Sequence, residues 1–155
     1  MTQSELLIRP MTEADLPRVL ELEQCCFPDP WTEGVFRSSL ADETELWLVC
    51  QQGGLVLGYL GMQSVLDEGY IDNLAVDPAF RRRQLGTRLL TAAEDEAKKR
   101  NLSFLSLEVR AGNEAAIALY SRFGFETLGV RPGYYLRPKE DARIMTKYYS
   151  KVDTQ

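Results

Sequence analysis

A strand, a turn, a long helix and a second strand follow one another near the middle of the chain. The first strand is predicted over Tyr70–Val76, and Asp77-Pro78 marks the turn after it. The helix is predicted from about Arg83 to Arg100, and Leu102–Val109 is the second strand. A strand–helix–strand unit predicts parallel pairing of its strands with a right-handed crossover, so this chain requires a sheet that contains a parallel pair.

Apolar periodicity and turn residues predict the elements that flank this unit. In chain order they are a strand at Leu6–Ile8, a helix after the capping sequence Thr12–Asp15, a helix capped by Thr32, strands Glu45–Gln51 and Leu55–Val65, a helix capped by Asn113, strand Phe125–Val130, a loop Arg131–Asp141 and strand Ala142–Tyr149. This order predicts an α/β (α+β) fold with a mixed central sheet of about six to seven strands and about four helices. The 155 residues suit a single domain spanning 1–155.

Residue composition excludes several kinds of active site. The chain has no histidine, which excludes Ser-His and Cys-His nucleophilic catalysis and the commonest zinc sites. Its three cysteines, Cys25, Cys26 and Cys50, have no CxxC spacing, so buried reduced thiols are expected and no metal is predicted. A general base in this protein must therefore be Glu, Asp, Tyr or water.

Net charge and hydropathy limit the partners. The formal net charge is −5, which argues against nucleic acid binding and favours a cationic partner such as an amine or a basic peptide. No apolar run approaches the roughly 20 residues that span a bilayer, so no membrane partner is predicted. The first residues lack the basic and apolar segments of a signal peptide, so a cytoplasmic location is expected.

The turn after the first central strand is a candidate phosphate site. With Gly86 at the start of the following helix, backbone N–H groups and the positive end of the helix dipole can meet an anion there. The turn is neither a P-loop nor a GxGxxG motif, so on these residues alone a solvated arginine cluster remains the alternative. The residues concerned are Arg82, Arg83, Gln84, Leu85, Gly86 and Thr87.

Three further side chains could carry chemistry. Strand alternation puts Glu108 opposite the apolar face, where it either takes a proton from an amine, directly or through water, or pairs with Arg110 or another arginine. Tyr120 lies on the apolar face of its helix and is either a core residue or a proton donor with a reference pKa of about 10. Asn113 is explained as a helix N-cap, and its amide could also face a cofactor.

The GNAT superfamily of N-acetyltransferases has an acetyl-CoA signature that is similar to two runs of this chain, NLAVDPAFRRRQLGTRLL and LEVRAGNEAAIALYSRFGF. Its pattern Asn-x-x-Ala-x-x-Leu-Tyr-x-x-x-Gly-Phe is met at Asn113, Ala116, Leu119, Tyr120, Gly124 and Phe125. Three runs, FPDPW, LEVRAGN and VRPGYYLRPKEDARIM, resemble bacterial members that acetylate the N-terminal alanine of a ribosomal protein. The resemblance extends from about Leu7 to Tyr149.

This resemblance implies a fold and a reaction. A GNAT fold holds acetyl-CoA at a splayed central pair of strands and transfers the acetyl group directly, without an acyl-enzyme. Glu108 is implied as the general base and Tyr120 as the general acid for the leaving thiolate. The implied acceptor is the peptide N-terminus of a ribosomal protein. A lysine side chain, a small-molecule amine, or a non-catalytic coenzyme-A-binding role are the alternatives.

The resemblance also implies which residues bind the two substrates. A backbone N–H near Val76 would polarise the thioester carbonyl, as an oxyanion-hole donor does. The loops Phe27–Phe36 and Arg131–Asp141 would flank the acceptor groove. The implied cofactor set is Leu74, Ala75 and Val76 for the pantetheine arm, Arg82, Arg83, Gln84, Leu85, Gly86 and Thr87 for the pyrophosphate, and Asn113 for a further contact. Trp31, Tyr134 and Tyr135 are expected to form walls for an extended acceptor peptide, and packing is the alternative role for the two tyrosines.

The phosphate turn departs from the family pattern at two positions. Gln84 stands where glycine is usual, and Arg88 stands where a small residue is usual. Gln84 is expected to restrict the turn, because it lacks glycine's access to positive φ. Arg88 either crowds the diphosphate or adds charge to it. The departures bear on the affinity for acetyl-CoA more than on its identity as the donor.

Overall fold

The computed structural model describes residues 5–81 and 84–149. Seven strands and four α-helices lie in these ranges. They are β1 (Leu7–Pro10), α1 (Leu16–Cys26), α2 (Glu33–Ala41), β2 (Glu45–Gln52), β3 (Leu55–Val65), β4 (Glu68–Val76), α3 (Leu85–Lys99), β5 (Phe104–Arg110), α4 (Glu114–Arg122), β6 (Glu126–Leu136) and β7 (Lys139–Tyr148). Short 3-10 turns at Glu13–Asp15 and Pro78–Phe80 precede α1 and α3.

The strands form one mixed sheet in the order β1-β2-β3-β4-β5-β7-β6. In the described part of the chain, β4 and β5 are the parallel neighbours and the other adjacent pairs are antiparallel. This confirms the predicted mixed sheet and its central strand–helix–strand unit. The crossover from β4 to β5 is α3, which has the length that a parallel connection requires.

The parallel pair separates along its length. β4 and β5 pair only from Glu68 to Tyr70 and from Phe104 to Ser106. Beyond these residues the β5 side of β4 has no ladder partner among the described residues. A bulge bends β4 in the same region, since Gly61 pairs with Asn73 while its neighbour pairs with Ile71. The two strands therefore open a gap at their carboxyl ends.

Helices cover both faces of the sheet because strand residues alternate between two apolar clusters. Along β2, Leu48 and Cys50 pack with α3, and Trp47 and Val49 pack with α1 and α2. The side chains of α3 that face the sheet recur at helical spacing and are Leu85, Leu89, Leu90, Ala93 and Ala97. Those of α1 and α2 are Leu16, Val19, Leu22 and Phe36.

Local capping signals match the predicted helix ends. Thr32 accepts a hydrogen bond from the Val35 backbone N–H at 3.3 Å, and Asn113 accepts one from Ala116 at 3.2 Å. Gly124 ends α4 with a φ of +93°, a left-handed conformation that glycine adopts at no steric cost. These ends follow from single residues and their near neighbours, which is why the sequence predicts them.

The predicted loop Arg131–Asp141 is wrong. These residues continue two strands, because β6 extends to Leu136 and β7 begins at Lys139. The Pro and Gly that mark the loop in the sequence fall in a register shift between Arg131 and Tyr135. An edge strand tolerates proline because it lacks a neighbour on one side, and β6 is the last strand of the sheet. Gly133 takes a φ of +61° within the same irregularity.

The central helix also begins later than predicted. Its first residue is Leu85, and Gln84 is its N-cap. Arg82 and Arg83, which are expected to contact the pyrophosphate, lie outside the described residues. The predicted start near Arg83 is therefore wrong by about one half-turn, because the backbone conformation at Gln84 is not helical.

The cysteines are free thiols in different environments. Cys50 is buried and Cys26 is half-buried, but Cys25 is exposed. The expectation of buried thiols is therefore wrong for Cys25, whose side chain lies on the solvent side of α1. Within the described ranges, no group of three His, Cys, Asp or Glu residues could hold a metal ion.

None of the helices in residues 5–81 and 84–149 has the length and apolar character to cross a membrane. The longest of the four is α3, with 15 residues, and its outer face is charged. A spanning helix needs about 20 predominantly apolar residues.

Candidate active site

A cleft of about 1020 Å³ opens where β4 and β5 separate. Its walls come from the segment between α1 and α2, from β4 and β5, from the start of α4, and from the β6–β7 hairpin. Elements distant in sequence therefore meet at the carboxyl ends of the central strands β4 and β5. Seven residues predicted for the site line this cleft: Trp31, Leu74, Glu108, Asn113, Tyr120, Tyr134 and Tyr135.

The other predicted cofactor residues lie outside the cleft lining. Ala75 and Val76 follow Leu74 at the end of β4. The remaining described members, Gln84, Leu85, Gly86 and Thr87, form the entry to α3. This entry lies next along the chain from the end of β4, so a long ligand that begins in the cleft can reach it.

Glu108 lies on the cleft side of β5. Its neighbours Leu107 and Val109 pack into the core, as strand alternation predicts. The carboxylate forms an ion pair with Arg131, with 3.3 Å between Nε and Oε1. Its interaction with the Tyr134 hydroxyl raises the pKa of Tyr134. The arginine partner left open by the sequence is thus Arg131 on β6, not Arg110.

Arg110 instead connects β5 to the hairpin. Its guanidinium lies 4.3 Å from the centre of the Tyr135 ring and 3.2 Å from Glu140 Oε1. Glu140 Oε2 accepts a hydrogen bond from the Gly112 backbone N–H at 2.6 Å. Burial first, and then the charge of Glu108, raises the pKa of Tyr135 to about 12. The hairpin that carries both predicted wall tyrosines is therefore tied to the end of β5.

Tyr120 lies on α4 and points between the core and the cleft. It is 6% exposed, and its ring centre lies 5.8 Å from that of Phe125. Burial raises its pKa well above the ordinary value. A phenol in this state keeps its proton at neutral pH, so it can donate a proton or a hydrogen bond. Tyr120 is therefore a core residue that also lines the cleft, and its role as a proton donor stays a prediction.

The turn into α3 has a strained residue at its centre. Gln84 has φ 60° and ψ 27°, the left-handed conformation that the family's glycine adopts freely. The expected restriction therefore takes the form of a cost in backbone energy, since the turn itself is formed. Gly86 serves packing, because a Cβ there would lie 3.1 Å from the Leu119 side chain on α4.

Glu23 is a cleft residue that the motif analysis missed. It lines the cleft and is 1% exposed, although it carries a carboxylate. Its Oε1 accepts hydrogen bonds from the Tyr59 hydroxyl and from Asn73 Nδ2, the latter at 3.0 Å. Its Oε2 accepts one from the Trp31 backbone N–H at 2.7 Å. The signal is its spacing, since position 23 falls four residues after Val19 on the buried face of α1.

The second missed residue is Asp72, at the bulge of β4. It accepts a hydrogen bond from Gln63 Nε2 at 3.1 Å and lines the cleft. Burial first, with a contribution from the charge of Glu45, raises its pKa to about 6. The sequence holds no signal for this shift, because the bulge and the burial both depend on strand pairing.

Comparison with known proteins decides the family. Residues 16–125 match the sequence profile described as the acetyltransferase (GNAT) family. The chain belongs to the GNAT family. The match includes the separated strands, the entry to α3 and the start of α4, so the recognised signature and the cleft coincide.

Individual GNAT relatives match over most of their length. The ribosomal protein bS18-alanine N-acetyltransferase of Escherichia coli (strain K12) is 41% identical over 140 residues, which cover 89% of this chain and 94% of that protein. The crystal structure of the ribosomal-protein-S18-alanine N-acetyltransferase from Escherichia coli has a TM-score of 0.88 at 38% identity, covering 96% and 97% of the two chains.

A more distant GNAT structure contains the acyl donor. Arabidopsis thaliana NAA60 in complex with acetyl-CoA has a TM-score of 0.80 at 20% identity, and covers 94% of this chain and 100% of that one. This likeness shows the fold alone. With the family membership, the chain is an N-acetyltransferase that uses acetyl-CoA, as the sequence predicts.

Proposed function

We propose that this chain transfers the acetyl group of acetyl-CoA to the N-terminal α-amine of a ribosomal protein that begins with alanine, bS18. The observation that carries the proposal is the convergence of Glu108 and Tyr120 on one cleft beside the open edge of β4. Relatives with this acceptor in their names match the chain over almost its whole length. A ribosomal acceptor places the reaction in the cytoplasm.

The open edge of β4 fits the pantetheine arm. Beyond Tyr70 the β5 side of β4 has no ladder partner among the described residues. Its backbone N–H and C=O groups need partners, and an extended chain of amides can supply them. We assign Leu74, Ala75 and Val76 to this contact. A backbone N–H near Val76 then polarises the thioester carbonyl.

The pyrophosphate belongs at the entry to α3. We assign it to Arg82, Arg83, Gln84, Leu85, Gly86 and Thr87, the last four of which form that entry. The unbonded N–H groups of the first helical turn favour an anion there. Asn113 lies at the cleft wall and caps α4, so its side-chain NH₂ remains available to the donor while its Oδ1 holds the helix.

Proton transfer is assigned to two groups with opposite roles. An α-ammonium has a reference pKa of about 7.7–8.0 and must lose a proton before it attacks. Glu108 accepts this proton, directly or through a water molecule. Tyr120 donates a proton to the departing thiolate, a role that suits a phenol whose pKa is raised by burial. Each step of this kind typically contributes a factor of about 10²–10⁴ to the rate.

The acceptor peptide is assigned to the space between Trp31 and the β6–β7 hairpin. Trp31 lines the cleft from the segment before α2, and Tyr134 and Tyr135 line it from β6. The centres of the two tyrosine rings are 5.1 Å apart at an angle of 84°, so the rings pack edge to face. Aromatic walls on both flanks of a cleft of about 1020 Å³ suit an extended peptide.

A thiol-release assay with acetyl-CoA tests the proposal. The acceptors are a peptide with the N-terminal sequence of bS18, the same peptide with a blocked N-terminus and one internal lysine, and small free amines. Turnover with the first alone supports the proposal. Turnover with the lysine peptide or with the free amines would show that the acceptor is a lysine side chain or a small amine instead. Binding of acetyl-CoA without release to any of them would indicate a non-catalytic module.

A further inference from the structure

We propose that Glu23 positions the acceptor wall of the cleft by tying the backbone of Trp31 to the bulge of β4. The proposal rests on the acceptor groove assigned above. It gives a role to a buried carboxylate that the proton transfers do not use. The residue acts through its neighbours, so it is a positioning residue.

The bonds of Glu23 join four elements. The side chain starts on α1, and Oε1 accepts from Tyr59 on β3 and from Asn73 on β4. Oε2 accepts from the backbone N–H of Trp31, which precedes α2. Asn73 is the residue before Leu74, in the strand assigned to the thioester. One carboxylate therefore sets the distance between the donor strand and the acceptor wall.

Because Glu23 is buried, its carboxylate depends on its hydrogen-bond donors. Among residues 5–81 and 84–149, no Lys or Arg lies within ion-pair distance of Glu23. A buried carboxylate without a cation depends on its hydrogen bonds, and each of the three donors is costly to lose. The geometry at Trp31 is thus held by a carboxylate that has no ion-pair partner among residues 5–81 and 84–149.

The ring of Trp31 has its own support, which ends at the same bulge. Its centre lies 5.4 Å from that of Phe36 and 5.6 Å from that of Trp47. The Trp47 ring in turn lies over Gly61, where a Cβ would come within 2.3 Å of it. Gly61 is paired with Asn73. Glu23 fixes the backbone of Trp31, and the aromatic stack fixes its side chain. Both sets of contacts lead to Asn73 on β4, through its hydrogen bond to Glu23 and its pairing with Gly61.

Three variants separate positioning from a plain structural role. Glu23→Leu removes every acceptor and releases the Trp31 N–H. Glu23→Gln keeps an oxygen for that N–H, while its NH₂ can donate to Asn73 Oδ1 and to the Tyr59 oxygen. Tyr59→Phe is the matched control, because it removes one buried partner of Glu23 and leaves the bond to Trp31 intact.

We expect Glu23→Leu to change the kinetic constants for the acceptor peptide and to leave KM for acetyl-CoA unchanged. For Glu23→Leu, KM for the alanine peptide rises and kcat falls, together on the order of 10–100-fold in kcat/KM, because the wall is misplaced. KM for acetyl-CoA stays unchanged. Glu23→Gln restores most of the activity, and Tyr59→Phe lowers the melting temperature with an unchanged acceptor KM. Equal losses for both substrates, or a Gln variant as inactive as the Leu variant, would overturn the proposal.

Hydrogen exchange supplies a readout that needs no acceptor. In the unsubstituted protein the Trp31 amide is expected to exchange as slowly as amides of β3, which is paired on both sides, because it donates to a buried carboxylate. Exchange there should accelerate in Glu23→Leu and not in Tyr59→Phe. Fast exchange in the unsubstituted protein would overturn the proposal even if Glu23→Leu does not fold. Failure of the unsubstituted protein to acetylate the alanine peptide would instead remove the proposed function and leave this result standing.

Discussion

Arg131 Nε lies 3.3 Å from Glu108 Oε1, and interaction with the same carboxylate raises the pKa of Tyr134. Both partners come from β6, the edge strand of the sheet. The carboxylate assigned as the base is thus oriented by residues that the sequence places in a loop. Because half of the Arg131 side chain is exposed, at 55%, the ion pair can open when an amine arrives.

Glu108→Gln should lower kcat by a factor of about 10²–10⁴ while acetyl-CoA still binds. The amide keeps the size of the side chain but cannot accept the proton of the α-ammonium. Steady-state kinetics from pH 6 to 9 and titration with acetyl-CoA measure the two effects. Glu126→Gln, at an exposed position of β6, is the control. Normal turnover of Glu108→Gln at pH 7 would remove Glu108 from the mechanism.

Tyr120→Phe should lower kcat by a comparable factor, with little change in the melting temperature. The ring contact with Phe125 is kept, and only the hydroxyl that donates to the thiolate is lost. Because burial raises the pKa of Tyr120, the unsubstituted enzyme should not lose activity through this group below its ordinary pKa of about 10. An unchanged kcat in Tyr120→Phe would make the residue part of the core alone.

Gln84→Gly should stabilise the fold and tighten acetyl-CoA binding. A non-glycine residue in the left-handed conformation costs roughly 1–2 kcal/mol, and glycine removes that cost against its larger entropy loss on folding. Thermal unfolding with and without acetyl-CoA measures both effects. Gln84→Ala is the matched control, since it keeps a Cβ and should gain neither. A lower melting temperature for Gln84→Gly than for Gln84→Ala would contradict the argument.

Asp72→Asn should raise the melting temperature at pH 7. Burial raises the folded-state pKa of Asp72 to about 6, above the unfolded value of about 3.9. Between these values the folded state binds more protons than the unfolded state, so the charged form of Asp72 destabilises the fold as pH rises to 6 and above. The gain from the substitution should therefore shrink as pH falls from 6 to 4.

Asp15→Asn tests a pKa shift of the opposite sign, because the pKa of Asp15 is lowered in the folded protein. Hydrogen bonds from Arg9, at 2.7 and 2.8 Å, lower the pKa of Asp15, and the carboxyl group is 8% exposed. A lowered pKa contributes stability that is present above about pH 4 and is lost as pH falls through the folded-state value. The variant should be less stable than the unsubstituted protein at pH 7, and the difference should narrow below pH 4. Equal pH dependence for the Asp72 and Asp15 variants would contradict both arguments.

Most of the fold follows from local patterns. The caps at Thr32 and Asn113, the stop at Gly124 and the apolar stripe of α3 are each predicted from residues within a few positions of one another. The order of the elements then leaves few topologies, because a helix between two strands implies a parallel pair. The error at Arg131–Asp141 has the same origin. Proline and glycine indicate a break, and only the place of β6 at the sheet edge shows that a bulge accommodates them.

Some residues of the candidate site are recognisable in the sequence, and others are not. Glu108, Tyr120 and Asn113 stand out in the sequence because motif spacing and strand alternation single them out, although their catalytic and binding roles stay predictions. The single domain over 1–155 also stays a prediction. Asp72 does not stand out, since an acidic residue in a strand is ordinarily solvated. Glu23 is marked only by its spacing on the buried face of α1.

By itself the sequence determined the elements and their order, because these depend on short-range spacing. It also carried the resemblance to the GNAT signature, which implies acetyl-CoA as the donor. The tertiary structure decided where β4 and β5 part, that Gln84 takes a left-handed conformation, and that Arg131 faces Glu108. It also decided the surroundings of Glu23, which meets Tyr59 and Asn73 from 36 and 50 positions away. Contacts over such separations depend on how the sheet and helices pack, and no local pattern encodes them.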